Sequence, residues 1–405
     1  MARASRGSRI SPDEINIVHV WSQVVQQMPL LGRDPTTGQD FSHRKDWFID
    51  IMAHQSMFMA VEILRFAIMD NHVHFLLRTR PDIVRDWSDE EVAWNYLNLC
   101  PKNKRRRKGN GKWHYEVVDP TQEDVDEILG DRKKLKKLRK KLSSLSFWMQ
   151  LLKQKVAKRA NAEVQKDDVC KGAFWKGRFE MTVIHSREYL LTCAVYIDLN
   201  PFKARMTDSI EGYKYTSMYM QYQDTLNKML SEGDLVPTEQ NPLGEFPESR
   251  MLNPIEFVED NKSSGGVESQ SVKPAESRAG CKRRRARCTN DGFLEINAKE
   301  YLEVLKWSME QLAAQWHENQ EGKIRGLEHA VVRSHGMSLE IWKDRVTNFR
   351  RLFKHEAGES RRKLLEGFCI EPTAAMFLAL RDVGTGVGSG SEVVDIGQGP
   401  PSKGG

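Results

Sequence analysis

Residues 62–79 read EILRFAIMDNHVHFLLRT. Two runs of β-branched, aliphatic and aromatic residues, Glu62 to Met69 and His72 to Thr79, flank the dipeptide Asp70-Asn71. Both runs have strand composition, and Asp and Asn tolerate the backbone angles of a tight turn, so the segment predicts two strands joined by a turn. Working outward, Ile15 to Val25 and Arg178 to Ile184 predict two more strands. Asp46 to Ala60 spaces its apolar residues for a helix, and Asp89 to Leu99, Asp131 to Asn161 and Arg187 to Leu199 also read as helical. Ser186 stands where an N-cap belongs, and Pro201 ends the last of these helices, because proline disfavours helical geometry in the residue before it. Residues 11–222 therefore read as one mixed α/β domain.

The rest of the chain reads differently. Residues 223–292, rich in Pro, Ser, Glu, Asn and Gly, predict a disordered polar and basic linker. A small helical domain is expected over 293–382 and a flexible tail over 383–405. Among 405 residues with formal net charge +6, 39% are hydrophobic and 29% charged. No apolar run approaches the roughly 18 residues of a membrane span; Ala374 to Leu380 is far shorter. The basic, polar N-terminus has no apolar stretch of the secretory kind, so a cytoplasmic protein that does not bind membranes is expected. Six cysteines without a C-x-x-C pair exclude a disulfide scaffold and the common zinc spacings.

Two constellations could carry chemistry. On a strand, side chains two apart share a face, so His72 and His74 project together. On a helix, Tyr196 and Asn200 lie one turn apart on one face. Each pair alone is compatible with ordinary structural roles.

Together they are more specific. Met69-Asp70-Asn71-His72-Val73-His74-Phe75-Leu76-Leu77, then Gly172-Ala173-Phe174-Trp175-Lys176-Gly177-Arg178-Phe179, then Tyr196-Ile197-Asp198-Leu199-Asn200-Pro201-Phe202-Lys203-Ala204-Arg205 resemble, in that order, segments of the HUH single-tyrosine transposases, above all the REP-associated tyrosine transposase group. The resemblance covers about half the chain. It implies an α+β fold with a ferredoxin-like antiparallel sheet flanked by helices. It also implies a divalent metal, Mg2+ or Mn2+, held by His72, His74 and Asn200, and Tyr196 as nucleophile. The partners implied are single-stranded or hairpin DNA and a second copy of the chain in a homodimer. A phenol attacking a phosphodiester is repelled by its charge, so a cation is needed, and the product is a phosphotyrosine with a free 3′-hydroxyl.

A basic insertion of about residues 101–145 departs from the shortest members of the group. It reads as an exposed loop, Pro101 to Trp113, followed by a lysine-rich helix. Basic runs hold Arg105, Arg106 and Arg107, then Lys133, Lys134, Lys137 and Arg139, then Lys282 to Arg285 with Arg287. Such runs bind phosphates by counterion release. With Arg178, the first two supply the candidate DNA contacts, while Trp175 and Phe179 read as core. The alternative function is a domesticated, non-catalytic DNA-binding protein that keeps the fold.

Overall fold

Alternation along the strands decides the layering. In β1 (Asn16–Gln23), Val18 and Val20 face one side while Ile17, His19 and Trp21 face the other. The computed structural model of the chain describes residues 9–107, 113–163, 172–230, 249–257, 286–317, 329–353 and 356–357; for 103–107, 113–115, 225–230, 315–317 and 356 the backbone alone is described. After β1 come α1 (Arg44–Phe58), β2 (Val61–Ile68) and β3 (His72–Thr79), and after an insertion α6 (Leu145–Glu163) and β6 (Glu180–Ile184). The strands lie in the order β2-β3-β1-β6, all antiparallel, with the two-residue β7 (Glu356–Ala357) added parallel to β6. This β-α-β-β-α-β path is the ferredoxin-like antiparallel sheet expected from the sequence.

One face buries Val18, Val20, Ile63, Phe66, Val73, Phe75 and Leu77 against α1 and α6; Phe75 meets Trp148 edge-on at 5.4 Å between centroids. The other face carries Ile17, Ala67, Leu76 and Ile184, covered by α7 (Arg187–Asp198). Asn200–Lys203 forms a short helix, α8, so the break near Pro201 is followed by one further helical turn. Ser186 occupies the N-cap of α7, but its hydroxyl caps nothing; it is buried without a partner.

The insertion differs from its expected shape. Asn103–Arg107 (β4) and Trp113–Val117 (β5) pair as an antiparallel ribbon where a loop was expected. The alternation of Trp113, Tyr115 and Val117 is a strand signal hidden behind the charge run before it. The side chains of Arg105, Arg106 and Arg107 lie outside the described residues. The single long helix becomes α5 (Arg132–Leu142) and α6, parted at Ser143 and Ser144, with α2 (Pro81–Asp86), α3 (Asp89–Leu99) and α4 (Gln122–Leu129) before them. Helix α5 is amphipathic: Leu135, Leu138 and Leu142 enter the core while Lys133 and Lys137 stay exposed.

Parts of the expected linker are packed structure. Ser217–Leu230 forms α9, and segments 249–257 and 286–297 lie against the sheet. Arg78 binds Glu62 and donates to the carbonyls of Gly292 (3.0 Å) and Asp291 (2.9 Å), while Arg80 reaches Asp291 at 2.6 Å. A Cβ on Gly292 would stand 1.7 Å from the Glu256 carbonyl oxygen, so this close backbone approach admits glycine alone. Arg287, read as part of a basic run, is instead buried, donating to the carbonyls of Arg250 (2.9 Å) and Leu252 (2.6 Å). The remaining linker residues, Lys282 to Arg285, Ala374 to Leu380 and the tail fall outside the described residues. Cys100, Cys193 and Cys288 are free thiols, and no described helix is long and apolar enough to cross a membrane.

The C-terminal region is helical, as expected, but it does not stand apart. Helices α10 (Ala298–His317), α11 (Ala330–Ser334) and α12 (Leu339–Leu352) share one core with α7 through Tyr301, Leu305, Val332, Trp342, Val346 and Phe349. Burying an aromatic or branched side chain stabilises by roughly 1.5–3 kcal/mol, so these six suffice to hold the layer down. A buried polar cluster fixes the register: Asp198, at the end of α7, meets Arg65 of β2 at 3.1 Å. It also accepts from Ser217 (2.8 Å) and Tyr301 (2.7 Å). Removing one partner strands the other as an uncompensated buried charge. Asp198→Ala is therefore expected to lower unfolding stability by about 3–5 kcal/mol in urea titration, against well under 1 kcal/mol for the exposed Glu310→Ala.

Candidate active site

The turn Asp70-Asn71 closes between β2 and β3, Met69 N donating to His72 O at 2.8 Å, so β3 begins at the first histidine. His72 and His74 then share the face covered by α7, their rings perpendicular with centroids 5.0 Å apart. From the helix above, the Tyr196 ring comes edge-on to His74 at 5.6 Å. Asn200 follows one turn later, its amide nitrogen donating to the carbonyls of Tyr196 (2.9 Å) and Ile197 (3.3 Å). That tether leaves the amide oxygen as the atom with capacity to spare. His72, His74, Tyr196 and Asn200 line one pocket of about 340 Å³ with Lys203, Leu312, Thr347 and Arg350. The four residues chosen from sequence are thus brought together within one chain.

Three further residues join them to which the sequence reading gave no role, Lys203 standing within the last of the resembling stretches. His19 of β1 is completely buried, stacked on His74 with centroids 5.1 Å apart and its Nε2 2.9 Å from His74 Nδ1. Lys203 lies 3.7 Å above the Tyr196 ring centroid and donates to the Val346 carbonyl at 3.2 Å. Arg350 lies 4.0 Å above the Trp21 ring, and Trp21 stands opposite His74 in the strand register. A lone histidine on a strand and a single arginine carry no spacing signal, and only the packing brings His19 and Arg350 here.

Burial governs the electrostatics. Desolvation, reinforced by Arg350 and Lys203, pushes His19 down to about 3 and His72 to about 4, and burial with its histidine neighbours holds His74 well below the ordinary range. All three rings are neutral at pH 7. His72 Nδ1 donates to Asn71 Oδ1 at 2.6 Å, which leaves Nε2 unprotonated. The same state for His74 requires its Nδ1 to donate to His19, whose own Nδ1 is buried without a partner. Neutral imidazoles tied back through Nδ1, with a tethered amide oxygen, form a donor set that fits a divalent cation. Among the described residues no group of three or more His, Cys, Asp and Glu side chains is arranged for a metal, so the set depends on Asn200. Burial pushes the Tyr196 phenol up to about 12, opposed by Arg350, and pushes the Lys203 ammonium down to about 7.

The other expected DNA contacts are dispersed. Arg178 is exposed just after the Phe174–Trp175 segment, which pairs with the end of β1 next to the histidines. Trp175 donates to the Lys153 carbonyl at 3.0 Å and Phe179 is buried, both structural as expected. Helix α5 lies in the layer on the opposite face, its Leu142 carbonyl bound by Ala60 at the sheet end remote from the pocket. Within it Lys134 is paired with Glu127, and Arg139 is used up on the carbonyls of Val84 and Trp87 and on Asp89.

The depressed histidines make stability pH-dependent. The unfolded chain takes up protons near pH 6.5, whereas folded His72 does so only near 4 and His19 near 3. Stability is full above 6.5 and falls as the pH drops below it, by about 1.4 kcal/mol per pH unit for each histidine. In metal-free protein, His19→Gln should flatten this slope between pH 6.5 and 4 in urea titrations, and an unchanged slope would show that His19 is not held neutral.

No family model matches the chain and no curated protein matches it. Among solved structures, one described as the structure of a REP-associated tyrosine transposase bound to a REP hairpin aligns with a TM-score of 0.30 and 11% identity. It covers 56% of this chain and 86% of that one. A likeness so distant does not bear on the activity of this chain, for which the residues of the pocket are the evidence.

Proposed function

We propose that this protein is a DNA strand-cleaving and strand-joining enzyme of transposase type, acting on single-stranded hairpin DNA through a phosphotyrosine intermediate. One observation carries the reading: Tyr196 lines the same pocket as His72, His74 and Asn200, with no carboxylate among the lining residues to repel a phosphate. His72, His74 and Asn200 would hold the divalent ion, and two imidazoles suit Mn2+ at least as well as Mg2+. When bound, the ion would polarise the phosphate oxygens. Tyr196 Oη forms the new bond to phosphorus as the bond to the 3′ oxygen breaks, and the departing strand keeps a 3′-hydroxyl that reverses the step on another strand. The phenol must lose its proton against a buried environment, and Lys203, over the same ring, is the acceptor in this reading. Arg178, beside the histidine end of β1, would hold the DNA outside the pocket by charge, whereas Lys133 and Lys137 of α5 lie too far round the fold to share in it. One chain supplies the tyrosine, the two histidines and the asparagine together, and the homodimer implied by the resemblance is part of this proposal.

Incubation with single-stranded hairpin DNA and Mn2+ or Mg2+ should yield a covalent protein–DNA adduct on denaturing gels, abolished by Tyr196→Phe and by chelation. An adduct that survives Tyr196→Phe would refute the nucleophile. Tight, salt-sensitive binding with no adduct, indifferent to EDTA, would favour the non-catalytic DNA-binding reading.

Adduct formation should also accelerate as pH rises through about 7, where Lys203 loses its proton. Lys203→Met should lower the rate about 10²–10⁴-fold and remove that rise. A Met variant with the wild-type pH profile would transfer the proton-accepting role elsewhere.

A further inference from the structure

Helix α12 lies beyond the segments that resemble the transposases, yet it forms one wall of the pocket through Thr347 and Arg350. It is seated there firmly. Phe349, fully buried, meets the Tyr196 ring at 5.6 Å and the His19 ring at 5.8 Å, and the Val346 carbonyl accepts from Lys203. Trp342 anchors the start of the helix, its indole donating to Ser308 of α10 at 3.0 Å.

Arg350 has an unusual setting. Its guanidinium carbon lies 4.0 Å over the Trp21 ring centroid, and among the described residues no carboxylate pairs with it. A guanidinium carries five N–H donors and no acceptor, so one that lies over an indole and has no carboxylate partner keeps donors for an incoming anion. Besides Leu312 and the two imidazoles, the lining offers two basic side chains, a hydroxyl from Thr347, an amide and a phenol, but no acid. A pocket built this way has no internal counter-charge and takes an anion to supply one. Lys203 is a labile charge, since burial pushes it down to about 7, whereas an arginine stays protonated.

We propose that Arg350, supported by Thr347, grips a phosphate of the substrate strand, so that the C-terminal helical region is a working part of the nucleic-acid site. Arginine suits this task because its paired N–H groups match two phosphate oxygens at once. The inference deepens the proposed function and rests on the phosphodiester reading of the same pocket. It assigns the gripping charge to a helix outside the segments on which that reading was based.

The test is a binding titration of full-length protein with a fluorescently labelled single-stranded hairpin oligonucleotide, in EDTA, over a series of salt concentrations. Arg350→Met keeps an apolar stem on Trp21, and Arg350→Gln is a second neutral variant should the first fail to fold; unchanged thermal melting establishes that each is folded. Affinity should fall about ten- to hundredfold. The slope of log affinity against log salt should become shallower by about 0.7–0.9, the signature of one lost phosphate contact. Arg350→Lys should keep the slope while losing part of the affinity. Arg351→Met, exposed on the same helix, should change the slope less than Arg350→Met. A folded neutral variant with wild-type affinity and slope overturns the inference, whatever the adduct assay shows. An Arg350-dependent slope in a protein that forms no Tyr196 adduct upholds the grip and sinks only the catalytic reading.

Discussion

The buried pair of Asp198 and Arg65 is the constraint on which the arrangement turns. A carboxylate removed from water needs partners, and Asp198 of α7 draws them from three further elements: Arg65 of β2, Ser217 at the start of α9 and Tyr301 of α10. Arg65 is further sandwiched by the rings of Phe293 and Tyr301, at 5.0 and 4.6 Å. Because Asp198 stands two residues after Tyr196, fixing the carboxylate fixes the last turn of α7, and with it the height of the phenol above the strand histidines. The same cluster carries the docking of α10 through the Tyr301 hydroxyl. One polar knot thus sets the tyrosine and seats the layer that covers it.

Desolvation gives the pocket its chemical character. Three imidazoles, a phenol and an amine lie within a few side-chain lengths, and burial pushes every one of them towards its neutral form. Neutral imidazoles can serve as ligands, a neutral amine can accept a proton, and a neutral phenol must be made to give one up. The permanent charge left at the site is Arg350, which lowers the pKa of the histidines and of Tyr196 alike. An incoming phosphate would face that charge in a low-dielectric setting, where a single ion pair counts for more than on a wet surface.

Much of this was legible from short-range patterns. The alternating runs around Asp70-Asn71 specify two strands because side chains on a pleated strand repeat every two residues, and β2 and β3 lie within a residue or two of where those runs end. The same periodicity placed His72 and His74 on one face, and the helical repeat placed Tyr196 above Asn200. The ribbon of β4 and β5 was missed because a run of arginine and lysine carries no apolar alternation, although the backbone pairs regardless of side-chain charge. The segments 249–257 and 286–292 read as linker from composition; Arg78, Arg80 and Glu62 hold the second, and Ile63 and Arg287 hold the first, partners distant in sequence that no local pattern announces.

The amino-acid sequence by itself determined the strands, most helices, the shared face of the two histidines and the one-turn spacing of the tyrosine and asparagine, since each follows from the repeat of a single element. Only the tertiary structure decided that strand face and helix face meet, that His19 stands behind His74, and that α12 brings Arg350 and Phe349 over the phenol. These depend on long-range burial and on a polar cluster joining four elements, and no local repeat encodes which distant surfaces will exclude water together.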